Sequence, residues 1–99
     1  MQSAVKRVEI SPATYYLSQN YPNPFNPNTA INFAIPSREF VRLTVFDALG
    51  REVANLADGV YEQGEYSVSW NAGTLSSGIY FYTLTAGKFN ATKKLLMLK

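Results

Sequence analysis

Cysteine and histidine are both absent from the 99 residues. Their absence excludes disulfides, thiol catalysis, zinc sites of the usual kind and every histidine-based acid–base mechanism. It leaves the redox compartment open, because a cysteine-free chain tolerates an oxidising exterior as readily as a cytosol. Charge is sparse at 16% against 46% apolar residues, which is a globular composition rather than a disordered one. No run approaches roughly eighteen consecutive apolar residues, and the N-terminus has no basic-then-apolar signal pattern, so no membrane insertion is expected. Met1 followed by a polar stretch reads as the start of a piece cut from a longer protein. The length suits one domain with a single two-layer core.

What the chain does have is a dense punctuation near its start. Residues Gln19 to Asn28 hold three prolines and four asparagines in ten positions. Each proline fixes its own φ and biases the residue before it away from helix, while asparagine hydrogen-bonds its own backbone in tight turns. The stretch therefore reads as a stiff, ordered loop, with Tyr21 and Phe25 anchoring it to a sheet edge. Residues 1–14 read as a linker, since Val5, Val8 and Ile10 are too sparse for a strand and Ser11-Pro12 breaks any helix.

From Tyr15 onward the periodicity is that of strands. Tyr15–Ser18 is a short candidate. Thr29–Ile35 alternates with Ile31, Phe33 and Ile35 on one face, and Phe40–Phe46 alternates with Val41, Leu43 and Val45. Asp47-Ala48-Leu49-Gly50 supplies a turn, in which Asp47 caps the reversal and Gly50 can take positive φ. Arg51–Ala57 returns with an irregular spacing that predicts a bulge, and Asp58-Gly59 is a second turn signal. Glu65–Trp70 places Tyr66, Val68 and Trp70 on one face. Gly78–Ala86 sets Ile79, Phe81 and Thr83 opposite Tyr80, Tyr82 and Leu84, and Gly87-Lys88 makes a hairpin into Phe89–Leu98. About seven short strands with regular turn signals predict an all-β, immunoglobulin-like antiparallel β-sandwich, with a small closed barrel as competitor. Leu95-Leu96-Met97-Leu98 does not alternate, so the last strand is either buried on both faces or exposes an apolar row.

The search for chemistry is negative. The seven acids show no spacing that would build a metal cage or a general-acid pair, and the glycines sit at turns rather than in a phosphate loop. No catalytic, cofactor-binding or metal-binding residue is assigned, and the domain is read as no enzyme. Residues 1–87 carry five basic and seven acidic side chains, whereas Lys88, Lys93, Lys94 and Lys99 leave the end basic with no acid. These lysines either protect an edge strand or form a docking tail. They meet the needs of nucleic-acid binding only weakly, and no such partner is assigned. Tyr15, Tyr16, Tyr21, Tyr61, Tyr80, Tyr82 and Trp70 could make a sugar-stacking platform, but most alternate in register with aliphatics and read as core.

Four blocks then carry a family resemblance. Leu17 to Ile31, with its Pro22-Asn23-Pro24-Phe25 centre, resembles the opening motif of the type A C-terminal sorting domains of the type IX secretion system. Phe46-Asp47-Ala48-Leu49-Gly50-Arg51-Glu52-Val53, then Ser77-Gly78-Ile79-Tyr80, then the lysine-containing strand Lys93 to Lys99 follow in that family's order. The strand pattern is also similar to the immunoglobulin-like part of flagellar hook-capping proteins.

The resemblance implies a sorting domain over residues 15–99 at the end of a larger exported protein. The cargo would lie N-terminal to it, cross the periplasm in transit, and be delivered through the outer-membrane translocon to the surface or the medium. It further implies a sortase-like peptidase as partner, cutting upstream of the sandwich, with no cofactor required. Translocon or sortase docking is expected at Pro22, Asn23, Pro24, Phe25, Lys93, Lys94 and Lys99, with affinity from the backbone of the last strand or its apolar row. Asp47, Gly50, Arg51, Gly78 and Tyr80 are expected to be structural. The alternative is an accessory carbohydrate-binding or structural β-sandwich module of a secreted enzyme.

Overall fold

Alternating apolar residues become two facing sheets because each strand buries one side only. The computed structural model describes residues 2–8 and 14–98. Eight strands appear: β1 (Gln2–Val8), β2 (Tyr16–Leu17), β3 (Asn28–Ile35), β4 (Glu39–Asp47), β5 (Glu52–Tyr61), β6 (Gly64–Asn71), β7 (Gly78–Ala86) and β8 (Phe89–Met97). The first sheet runs β1-β6-β3-β2 and the second β5-β4-β7-β8, and all strand pairs are antiparallel. The central pairs, β3 with β6 and β4 with β7, join strands three apart in the chain, so neither sheet is a simple meander. Two stacked sheets, rather than a closed barrel, are the architecture.

The core is where the alternation puts it. Ile31, Phe33, Ile35, Val68 and Trp70 of the first sheet meet Val41, Leu43, Val45, Tyr82, Leu84, Leu95 and Met97 of the second, all buried. Phe33 stacks on Tyr66 with ring centroids 5.2 Å apart, and Tyr61 closes edge-on against both. The bulge expected in the strand after Asp47 is present twice. Leu56 is the extra residue where Leu43 and Thr44 face Ala57 and Asn55, and Val53 is the extra residue where Val45 and Phe46 face Ala54 and Glu52.

Two expectations fail for identifiable reasons. Residues 2–8 form a strand, although the sequence pattern gave none. Its described side chains, Ala4, Val5 and Lys6, are all exposed, so the pairing of its main chain with β6, not a buried apolar face, is what marks it as a strand. Asp58-Gly59 does not turn. β5 runs through it to Tyr61, with Asp58 opposite Arg42 and Gly59 opposite Val41, and the chain reverses at Glu62-Gln63 instead. A cross-strand ion pair, Arg42 Nη2 to Asp58 Oδ1 at 3.6 Å, sits where the turn was expected. Its pairing and the continued ladder override the local turn preference.

Deleting a core side chain should therefore cost far more than deleting an exposed one on the same sheet. Leu43→Ala, at a fully buried position, should lower unfolding free energy by about 2–5 kcal/mol, and Val60→Ala, which is 57% exposed, by no more than about 0.5 kcal/mol. Urea titration of Trp70 fluorescence measures both.

Candidate functional site

The proline-asparagine loop leaves the first sheet after β2 and crosses to the second, where it lies along the free edge of β8. Each bond it makes there has a sequence cause. Gln19 Nε2 donates to the Lys94 carbonyl at 2.7 Å and Asn23 Oδ1 accepts from the Leu96 N–H at 3.0 Å. The Phe25 N–H donates to the Leu96 carbonyl and the Leu98 N–H donates to the Phe25 carbonyl, both at 3.0 Å. Phe25 thus pairs beside Met97 like one residue of an added parallel strand. Its ring is buried against Trp70, centroids 5.8 Å apart.

The other end of this strap is tied to the first sheet. Tyr21 and Ala30 exchange both main-chain bonds at 2.9 Å. Asn20, 2% exposed, donates from Nδ2 to the Pro22 carbonyl at 3.1 Å and to Thr29 Oγ1 at 3.0 Å. Thr29 Oγ1 donates in turn to the Pro22 carbonyl at 3.0 Å. Both amide hydrogens of a buried asparagine are used, as burial requires. The Tyr82 hydroxyl, raised to about 12 by burial, donates to the Ser18 carbonyl at 2.7 Å and pins the strap's origin to β7. Tyr21 departs from expectation. Its backbone anchors the loop, but its ring is 81% exposed.

The predicted docking residues are thus split by burial. Pro22, Asn23 and Pro24 are exposed on the strap, whereas the Phe25 ring is enclosed. Lys93 and Lys94, adjacent on a strand, project to opposite faces. Lys93 is half-buried on the side of Leu95, and Lys94 is exposed on the outer face opposite Phe81. A lysine turned inward on an edge strand discourages pairing with another sheet. Lys99 lies outside the described residues.

The non-alternating end of the chain resolves in a specific way. Leu95 and Met97 are buried, while Leu96 is half-buried and Leu98 is 49% exposed. Leu96 sits opposite Ile79, itself 45% exposed, and Phe81 is exposed beside it. An outer apolar row of Ile79, Phe81, Leu96 and Leu98 results, bordered by Lys94. The contribution of β7 was missed, although the sequence signalled it by placing apolar residues on both faces of Gly78–Ala86. The strap already holds the main-chain groups of Leu96 and Leu98. The side chains of the row are what that end of β8 presents.

The two remaining motifs come together around one open cleft of about 570 Å³, lined by Asp47, Arg51, Leu75, Gly78 and Tyr80 among others. Its polar groups are already engaged. Asp47 Oδ1 accepts from the N–H groups of Leu49 and Arg51, both at 2.9 Å, and Oδ2 from Arg51 Nε at 2.8 Å. Gly50 takes φ +83° and Gly78 φ +151°, values that L side chains rarely adopt. The Tyr80 hydroxyl donates to the Ser76 carbonyl at 2.7 Å, four residues upstream, and Tyr66 does the same to Glu62 at 2.6 Å. Both are tyrosine corners of the kind immunoglobulin-like sandwiches use to fix a loop against a strand. No three acids among the described residues group to hold a metal ion. The sugar platform is not formed. Trp70, Tyr80 and Tyr82 are buried, Tyr15 stacks on Phe89, Tyr16 bonds Glu65, and Tyr61 packs edge-on against Phe33 and Tyr66, which leaves Tyr21 the one of the seven that is exposed.

The family model for the secretion system C-terminal sorting domain matches residues 19–98. The chain belongs to that family. The match opens at Gln19, the first strap residue bonded to β8, and closes at Leu98, the last β8-side residue bonded to the strap. No curated protein matches the chain. As a sorting domain it is the C-terminal signal for type IX secretion, which implies that secretion system, a cargo N-terminal to it, and delivery to the outer-membrane surface or the extracellular space.

Two measurements follow from the strap and the hairpin. Asn23→Ala removes the acceptor of the Leu96 N–H, so stability should fall by about 1 kcal/mol and Leu96 amide exchange should quicken, as read by NMR. Hydrogen bonding from the Arg51 N–H, aided by the Arg51 side chain and the Leu49 N–H, holds the Asp47 carboxyl below its ordinary value of 3.8. Its stabilising contribution is therefore present above about pH 4 and is lost as pH falls through the folded value. Carbon-detected titration should place the Asp47 midpoint below the ordinary 3.8, and Asp47→Asn should flatten the acid limb of the stability curve.

Proposed function

We propose that the type IX machinery reads this domain at the outer face of β7 and β8, with the strap as the frame that holds that face in shape. The observation that carries the reading is the exposed row Ile79, Phe81, Leu96 and Leu98 beside Lys94. Apolar area of this kind on a small domain marks a binding surface, and a bordering cation adds orientation. Pro22, Asn23 and Pro24 supply a rigid rim next to the row, and Lys99, outside the described residues, is a further charge for the machinery to contact. Phe25 acts from inside, by fixing the strap. Asp47, Gly50, Arg51, Gly78 and Tyr80 keep the hairpin and the β6–β7 loop in place.

The domain is a substrate of the machinery and performs no reaction itself. Its cargo crosses the periplasm in transit, and a sortase-like peptidase cuts in the linker, residues 1–14, ahead of the sorting domain at 15–99. A fluorescent cargo fused ahead of residues 1–99, behind a periplasmic export signal, tests this in hosts with and without a working translocon. Surface or medium delivery is expected in the competent host alone, with loss of the C-terminal fragment on a two-ended blot. Ile79→Ser with Phe81→Ser should cut delivery by about tenfold or more while the purified chain stays folded. Delivery of the folded double variant at the unmodified level would overturn the docking face.

A further inference from the structure

A sandwich of two open sheets has four edges, and three of them are guarded by the domain's own sequence. The outer edge of β8 is held by the strap from Lys94 to Leu98, with Lys93 turned inward beside it. β5 is bulged at Val53 and Leu56, which twists it away from regular pairing. β2 is two residues long. The fourth edge belongs to β6, and within β6 (Gly64–Asn71) there is no lysine, no proline and no register shift against either neighbour. What covers it is β1, paired in unbroken register from Gln2 opposite Asn71 to Val8 opposite Glu65. β1 lies outside residues 19–98, the part that matches the sorting-domain family.

The way β1 is held is also distinctive. Ala30 exchanges both main-chain bonds with Tyr21, and Asn32 turns its N–H and C=O toward Ser18. Both therefore point away from β6, so Ile31 and Phe33 bond Val68 and Tyr66. By alternation Ser67 and Ser69 point the other way, toward Lys6 and Ala4. The described side chains of β1, Ala4, Val5 and Lys6, are all exposed, Val5 at 37%. Attachment through an unbroken ladder, with none of the described side chains in the buried core, is how sheets take up added strands of varied sequence.

We propose that the β6 edge is a docking site for an extended polypeptide, filled here by residues 2–8 and exchangeable for an added strand. Its occupant is the chain that precedes the sorting domain, recognised by main-chain pairing rather than by its side chains. The proposal stands apart from the docking face on β7 and β8, and its test involves no translocon.

Two arms test it on the full chain. In the unmodified protein, NMR hydrogen exchange should show the Ser67 and Ser69 amides exchanging at least about tenfold faster than those of Val68 and Tyr66, because release of β1 frees only the former pair. Equal protection of the four would make β1 an integral strand and overturn the proposal. In Ala4→Pro with Lys6→Pro, which removes the two central donors from β1 to β6, a fluorescent peptide of residues 2–8 should bind at least about tenfold more tightly than to the unmodified chain. The same peptide with proline at both positions should not bind. A dimer of the variant that excess peptide dissolves is the same edge filled by a second copy and supports the proposal. A folded variant, with Trp70 fluorescence unchanged, that takes up no peptide overturns it, as does a dimer that peptide leaves intact. Should the variant fail to fold, the exchange rates decide.

Discussion

The last strand of this domain would present a row of unpaired main-chain groups, and the structure depends on how that row is closed. The Leu96 and Leu98 main chain is satisfied by Asn23 and Phe25, residues whose type follows from the loop they occupy. Asparagine offers a side-chain acceptor where a strand would offer a carbonyl. The prolines stiffen the approach by limiting the backbone freedom lost when it is ordered. Phe25 adds the apolar contact with Trp70 that keeps the strap down. Remove the strap, and one side of the sandwich is open to any strand that can pair with it.

A chain without histidine or cysteine has few ways to tie distant segments together, and this one relies on tyrosine. Tyr66, Tyr80 and Tyr82 bury their rings in the core and donate their hydroxyls to main-chain carbonyls. Tyr15 and Tyr16 donate to Glu39 and Glu65 at the sheet margins. Each ring contributes apolar area and one directed bond, so a single residue type both fills the core and fixes a loop or margin. With these hydroxyls and the Asp47 carboxylate engaged within the fold, the apolar row on β7 and β8 and the charges around it are what is offered outward. That suits a domain recognised by other proteins.

Most of the fold was legible because period-2 alternation is imposed by burial on one face. Strands β3, β4, β6 and β7 bury the residues that alternation selects, from Ile31 to Leu84. β1 was illegible for the converse reason, since its described side chains, Ala4, Val5 and Lys6, are all exposed and mark no buried face. Asp58-Gly59 has turn chemistry that a longer ladder overrode. The strap's stiffness could be read from its prolines, but not its destination, because β8 is distant in sequence and receives it through its main chain. For the same reason Tyr21 and Phe25, equivalent on paper, have opposite fates. Strand alternation foretold that Lys93 and Lys94 face apart, yet reading the lysines as one basic tail hid it.

The Asn23 side chain and the Leu96 main chain meet across 73 positions of sequence, so nearly the whole domain is strung between the two ends of one clasp. While the polypeptide is being made, every strand from β3 to β7 can emerge before the clasp has anything to fasten to. A chain broken off early would carry the strap with no strand beneath it, and an interior still open along one side. The clasp closes only once β8 has been made, so a segment early in the domain waits on its final strand before that side of the sandwich is shut.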